Sequence, residues 1–287
     1  VGSGTINDLT KLAAHLCGRP YLAVATAASM DGYTAFGASV THQGSKQTFF
    51  CPAPEAVIAD LDVICKAPGE LNAAGYADLA AKVPAGADWL IAEALGVEAI
   101  DPQAWTMVQE PLRAWLDDPA AVRRGEFDAI AGLVEGLLMT GFAMQWCKSS
   151  RPASGAEHQF SHLWDMQGHH YHGRIPYHGY KVAIGTLAST RLYEELLARP
   201  LSDIDVDRAC AAWPDLADLE QEIGRTHPLP DLRTVALQES KAKYISRDDL
   251  RHRLERLQRE WAGLRSRLER HLIPADDLRQ MLHEAGA

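Results

Sequence analysis

"SGAEHQFSHLWDMQGHHYHGRIPYHGYKVAIG", residues 154–185, gathers six of the twelve histidines of this 287-residue chain. His158 and His162 stand four residues apart, so a helix over this segment projects both imidazoles from one face, a turn from each other. A third, His178, directly precedes Gly179. Neutral imidazole is the commonest protein ligand for transition metals, and a catalytic zinc site takes three protein ligands and keeps one position open. Two histidines and one carboxylate satisfy that count. His169, His170 and His172 in "GHHYHG" read more simply as surface residues. The carboxylate must come from elsewhere. "AAGYADLAAK", residues 73–82, offers Asp78 in small and apolar company, with Lys82 one turn later. Spacing alone equally fits an intrahelical ion pair between them.

Outward from this segment the hydrophobic period changes once. Residues 1–68 alternate β-type runs ("YLAVATAA", "KQTFF", "AVIADLDVI") with one helical stretch, Asp8 to Leu16, which is α/β texture. Residues 69–287 carry helical periodicity broken by prolines such as Pro84, Pro102, Pro119 and Pro176. The expected fold is therefore α/β plus all-α: residues 1–68 as the later part of a dinucleotide-type domain, residues 69–287 as a helical domain, with a cleft between. The apolar run from Ala129 to Trp146 contains Glu135 and several glycines, so it reads as a buried helix and not a membrane span. Leu250, Leu254, Leu257, Trp261, Leu264 and Leu268 recur at helical spacing, which makes the charges between them a solvated face.

Composition bounds the partners. Hydrophobic residues at 47% and charged residues at 23% describe a packed globular chain. A formal charge of -10 repels a phosphate backbone at long range, so nucleic acid is not an expected partner and an anionic substrate needs a local basic cluster. Five scattered cysteines without CxxC spacing fit reduced thiols in a cytoplasm.

A second motif opens the chain. In "GSGTINDLTK", residues 2–11, glycines would let the backbone approach a diphosphate, and the helix that follows offers free N–H groups to an anion. An ordinary glycine turn capped by Asn7 or Asp8 fits the same letters.

Taken in order, "GSGTINDLTK", "TAASMDGYTAFGASV", "AVIADLDVI", "AAGYADLAAKVPAGADW", "SRPASGAEHQFSHLWD" and "HGYKVAIGTL" resemble the glycerol-1-phosphate dehydrogenases. These belong to the superfamily of iron-containing alcohol dehydrogenases, glycerol dehydrogenases and dehydroquinate synthases. The resemblance implies a dehydroquinate synthase-like fold, a partial Rossmann-like dinucleotide domain followed by a multi-helical metal-binding domain. It implies NAD or NADP as cofactor and one divalent metal ion, zinc, nickel or iron. Matched motif by motif, the metal ligands are Asp78, His158 and His178. His162 lines the substrate pocket beside the nicotinamide, and Asp31 lies near the substrate hydroxyls; these two are the catalytic candidates. Gly2, Ser3, Gly4, Thr5, Asn7 and Asp8 match the diphosphate loop, and Thr26 and Ser29 the turn that meets the cofactor. Lys82 replaces the further histidine ligand of many iron-type alcohol dehydrogenases and, with Arg151, is the candidate for binding a substrate phosphate.

The implied reaction interconverts dihydroxyacetone phosphate and sn-glycerol 1-phosphate, with a small phosphorylated triose or glycerol as substrate and a homo-oligomer compatible with it. Oxidation of an unphosphorylated polyol, or a non-catalytic remnant with an incomplete nucleotide site, are the alternatives. Relatives carry further chain ahead of the glycine loop, supplying the first strands of the dinucleotide domain, so weak or absent dinucleotide binding is expected of this stretch by itself.

Overall fold

The computed structural model describes residues 1–42 and 45–287. The glycine turn leads into α1 (Thr5–Leu16), followed by β1 (Leu22–Ala25), β2 (Ala38–His42), β3 (Ser45–Phe49), β4 (Ala56–Ala59) and the short α2 (Leu61–Ile64). Strand β1 pairs parallel with β4, Leu22 opposite Ala56 through Ala25 opposite Ala59. Strands β2 and β3 form a separate antiparallel hairpin, with Ala38 opposite Phe49. The remainder is helical: α3 (Gly69–Ala80), α4 (Lys82–Ala94), α5 (Pro102–Val108), α6 (Leu112–Trp115), α7 (Pro119–Arg124), α8 (Phe127–Cys147), α9 (Ala156–Met166) and α10 (His178–Leu197). Then follow α11 (Val206–Ala212), α12 (Leu216–Thr226), α13 (Pro230–Lys243), α14 (Arg247–His271) and α15 (Ala275–Ala285).

Three local readings change. Helix α1 starts at Thr5, not Asp8, because Gly4 at φ 50° turns the chain directly into it. Strand β2 was not anticipated from "ASVTH", whose pairing comes from its hairpin partner. Only the first half of "AVIADLDVI" is strand: the Asp60 side chain accepts the Asp62 N–H at 3.0 Å and caps α2, converting "LDVI" to helix.

Helix α3 is the hub. Its alanine-rich sequence has no amphipathic stripe, and every residue from Asn72 to Ala80 is buried, as expected of a helix surrounded on all sides. Tyr76, Leu79 and Val83 pack with Leu112, Leu116, Ile130, Leu133 and Leu137, and the same cluster takes in Ala25, Ala28, Tyr33 and Ile64 from the first 68 residues. One apolar core thus runs across the change of texture. Helix α8 is long and apolar enough to cross a membrane, but Leu133, Val134 and Leu137 are committed to this core, while Phe142 and Trp146 are exposed. Further along, Trp261, Leu264 and Leu268 of α14 pack on Ala87, Leu90 and Tyr193. The carbonyls of Arg270, His271 and Leu272 at the end of α14 accept from the Arg113 guanidinium at 3.1–3.2 Å, which satisfies acceptors the helix end leaves open.

Candidate metal centre

Three glycines bring the site together. A Cβ on Gly75 of α3 would lie 1.8 Å from the carbonyl oxygen of Ala28, in the loop after β1. One on Gly179 of α10 would lie 1.8 Å from the Ala74 carbonyl oxygen of α3, and one on Gly185 of α10 would lie 2.2 Å from that of Glu157 on α9. Backbones that touch this closely exclude any larger residue. Each contact sits beside a polar residue: Asp78 a turn beyond Gly75, His178 next to Gly179, His158 next to Glu157. The outcome is that single donor atoms of Asp78, His158 and His178 all lie within 4.8 Å of one another.

Helix α9 is inside out. Glu157, His158 and Ser161 are buried while Phe160 and Leu163 are exposed. Burying polar groups against the hydrophobic trend costs free energy unless they find partners, and here each of the three residues has at least one. His158 Nδ1 bonds Glu157 Oε1 at 2.7 Å, which leaves Nε2 toward Asp78 Oδ1 at 3.5 Å. His178 Nδ1 lies 3.0 Å from Ser161 Oγ, leaving its Nε2 for the centre. His162 sits at the edge, its ring centroid 6.3 Å from that of His158.

Asp78 and Lys82 are both fully buried. Lys82 Nζ is 3.0 Å from Asp78 Oδ1 and 2.6 Å from Asp31 Oδ2, while the Asp31 N–H donates to Asp78 Oδ2 at 3.0 Å. Asp31, from the loop after β1, keeps 14% side-chain exposure. Burial pushes both carboxyls up. For Asp31 that effect wins, reinforced by Asp78. For Asp78 it is overcome by Lys82, His158 and His178, which hold it well below the usual carboxylate range. Burial likewise pushes His158 down, but its bonds to Asp78 and Glu157 outweigh this and raise it to about 9.

Among the residues expected to meet substrate phosphate, Lys82 has no exposed surface and pairs with two carboxylates, Asp78 four residues before it at the end of α3 and Asp31 from the loop after β1. Arg151 is drawn off by Glu98, Nε to Oε2 2.7 Å. At the other end of the site, the Gly2 N–H donates to the Val24 carbonyl at 3.0 Å, so the glycine loop lies along β1. Ser3 Oγ meets Ser29 Oγ at 2.5 Å, joining the loop to the turn that also carries Thr26. Thr5 and Asp8 fall in the first turn of α1. Asn7 is buried and directs its amide to the Gly32 carbonyl at 3.4 Å, making it a brace for the Asp31 loop. Lys11 does the same more strongly, donating to the carbonyls of Gly32, Ala35 and Gly37 at 2.7–3.0 Å. Glu157, Ser161, Lys11 and the three glycines were absent from the sequence-based site. The only written signal for them was a glutamate and a serine inside a histidine helix.

The donor set suits a divalent ion: two imidazole nitrogens and one carboxylate, a bound cation taking the place of the second proton that Asp78 and Glu157 favour on His158, with acidic residues in excess of Lys82 around it. Residues 1–68 match the sequence profile of the iron-containing alcohol dehydrogenases. Over 194 residues the chain is 39% identical to the glycerol-1-phosphate dehydrogenase [NAD(P)+] of Halalkalibacterium halodurans, a match covering 68% of this chain and 49% of that protein. It is a homologue of the glycerol-1-phosphate dehydrogenases. The enzyme of the same name from Bacillus licheniformis is 37% identical over 208 residues, covering 72% of this chain and 52% of its own length. The chain thus spans about half the length of the curated relatives it matches. A probable glycerol dehydrogenase from Sinorhizobium meliloti superposes with a TM-score of 0.53 at 20% identity, covering 92% of this chain and 76% of that one. This likeness establishes the fold, a dehydroquinate synthase-like one with a partial Rossmann-like part ahead of the helices.

Proposed function

We propose that the chain is the metal-site part of an NAD(P)-dependent oxidoreductase that interconverts dihydroxyacetone phosphate and sn-glycerol 1-phosphate. In this reading residues 1–68 form the cofactor side and residues 69–287 the metal and substrate side. The observation that carries it is the convergence of Asp78, His158 and His178 in a chain homologous to glycerol-1-phosphate dehydrogenases. A divalent ion held by these three side chains would supply Lewis acidity toward a carbonyl or hydroxyl oxygen.

The chain's own residues divide the remaining work. Lys82 binds Asp31 and Asp78 together, so the charge of the ligand carboxylate and the position of the substrate-facing acid are set by one cation. Asp31 and His162 stand beside the three ligands, where a carboxyl and an imidazole can exchange a proton with a substrate oxygen. The loop Gly2, Ser3, Gly4 and Thr5, backed by Ser29 and Thr26, would take the NAD(P) diphosphate at the start of α1. Asn7 and Asp8 follow in the first turn of α1.

One observation favours a second reading, oxidation of an unphosphorylated polyol such as glycerol. Lys82 and Arg151, the cations expected to bind phosphate, are each engaged by carboxylates. The two readings separate on kcat/KM for glycerol 1-phosphate against glycerol, measured with NAD and with NADP on metal-loaded protein. The primary reading expects a preference for the phosphorylated substrate of about 10⁴-fold, the scale at which a site built to bond a polar group rejects the analogue lacking it. Equal values would transfer the assignment to the polyol.

A further inference from the structure

We propose that Glu157 is a positioning residue for the metal centre, holding His158 in the tautomer and orientation that ligation requires. The inference rests on the metal reading above and concerns a residue outside the ligand set. Glu157 has no exposed surface although it stands in the first turn of a helix, where a carboxylate could equally face water. Its Oε1 accepts twice, from His158 Nδ1 and from the Gly155 N–H, both at 2.7 Å. Its Oε2 is buried and has no hydrogen-bond partner among the described residues.

A capping role does not account for this burial. The start of α9 already has a carboxylate, since Asp88 Oδ2 accepts from the Ala156 N–H at 2.7 Å. The feature that Asp88 does not supply is contact with an imidazole. A proton fixed on Nδ1 by Glu157 leaves the Nε2 lone pair facing Asp78 and His178, which is the arrangement a bound cation needs. The carboxylate also makes the imidazole a stronger donor. Its backbone is held in place as well, because Gly185 lets α10 press against the Glu157 carbonyl. The group that orients His158 is thus fixed by the same close helix contact that brings His158 toward His178.

The test uses the full chain, with zinc affinity measured by chelator competition and cobalt(II) absorption as a second readout. Glu157→Gln keeps shape and an acceptor for Nδ1 but removes the charge. It is expected to weaken zinc binding by about 10- to 100-fold and to shift the cobalt bands, with the unfolding midpoint in chelator unchanged. In a His158→Ala background the same substitution should have no further effect on zinc affinity. Wild-type affinity in Glu157→Gln overturns the proposal and leaves the metal reading standing. So does an equal loss in the His158→Ala background, which would mean that Glu157 acts independently of His158. A wild-type chain that binds neither zinc nor cobalt overturns the metal reading itself.

Discussion

Replacing Gly179 by alanine adds one methyl group at one of the two tightest backbone contacts in the site. Its Cβ would stand 1.8 Å from the Ala74 carbonyl oxygen, and real Cβ atoms essentially never come within 3.0 Å of another heavy atom. The neighbour is backbone in the middle of α3, so no side chain can swing away. Helices α10 and α3 must part by about 1.2 Å to reach that limit, an overpacking that costs about 1–3 kcal/mol. His178 and Asp78 lie on opposite sides of this contact, whereas metal–ligand distances tolerate about 0.2 Å. Zinc affinity should therefore collapse by far more than the stability loss explains. Urea unfolding in chelator gives the stability term and chelator competition gives the affinity. Gly224→Ala, in helix α12 with open space around it, serves as control and should be neutral or slightly stabilising. If Gly179→Ala bound zinc with unchanged affinity and unfolded within about 0.5 kcal/mol of wild type, the close-contact argument would be wrong.

Lys82→Met leaves Asp31 and Asp78 without their shared cation; a loss of about 3–5 kcal/mol in urea unfolding is expected, partly recovered by saturating zinc, and a loss below about 1 kcal/mol would contradict the role given to Lys82. His271 donates from Nε2 to the Val83 carbonyl, 2.9 Å away, and burial lowers its pKa below the ordinary value. It therefore stays neutral in the fold while the unfolded chain takes up a proton below about pH 6.5, so its contribution is complete above that pH and is lost as pH falls further. His271→Gln should remove up to about 1.4 kcal/mol per pH unit of that loss between pH 6.5 and 5, read from unfolding at several pH values; parallel curves would refute it. His172→Ala, in the exposed turn between α9 and α10, should leave zinc affinity and stability unchanged within error, and a loss of either would move the site into that turn.

The broad texture was readable because strands and helices impose different periods: β1 and β4 fall in apolar runs, and α14 buries Trp261, Leu264 and Leu268 at the spacing written in its sequence. The site was readable only through resemblance. Eighty positions separate Asp78 from His158, and no local rule joins them. Glu157 was invisible because a glutamate beside a histidine usually marks a solvated helix face, and only the packing of α9 against α10 reverses that expectation. Gly75, Gly179 and Gly185 look like weak points in helices until the opposing backbone is known. Lys82 shows the same limit: sequence places it one turn from Asp78 but does not reveal that Asp31 closes over it from another segment.

The central claim is that Asp78, His158 and His178 form one metal site. Crystals of the full chain grown with zinc, measured for anomalous scattering at the zinc edge, test it directly. The account predicts a single strong peak about 2.0–2.2 Å from Asp78, His158 Nε2 and His178 Nε2, absent from Asp78→Asn crystals. A peak on His169, His170 and His172 instead, or one that survives Asp78→Asn, would contradict it.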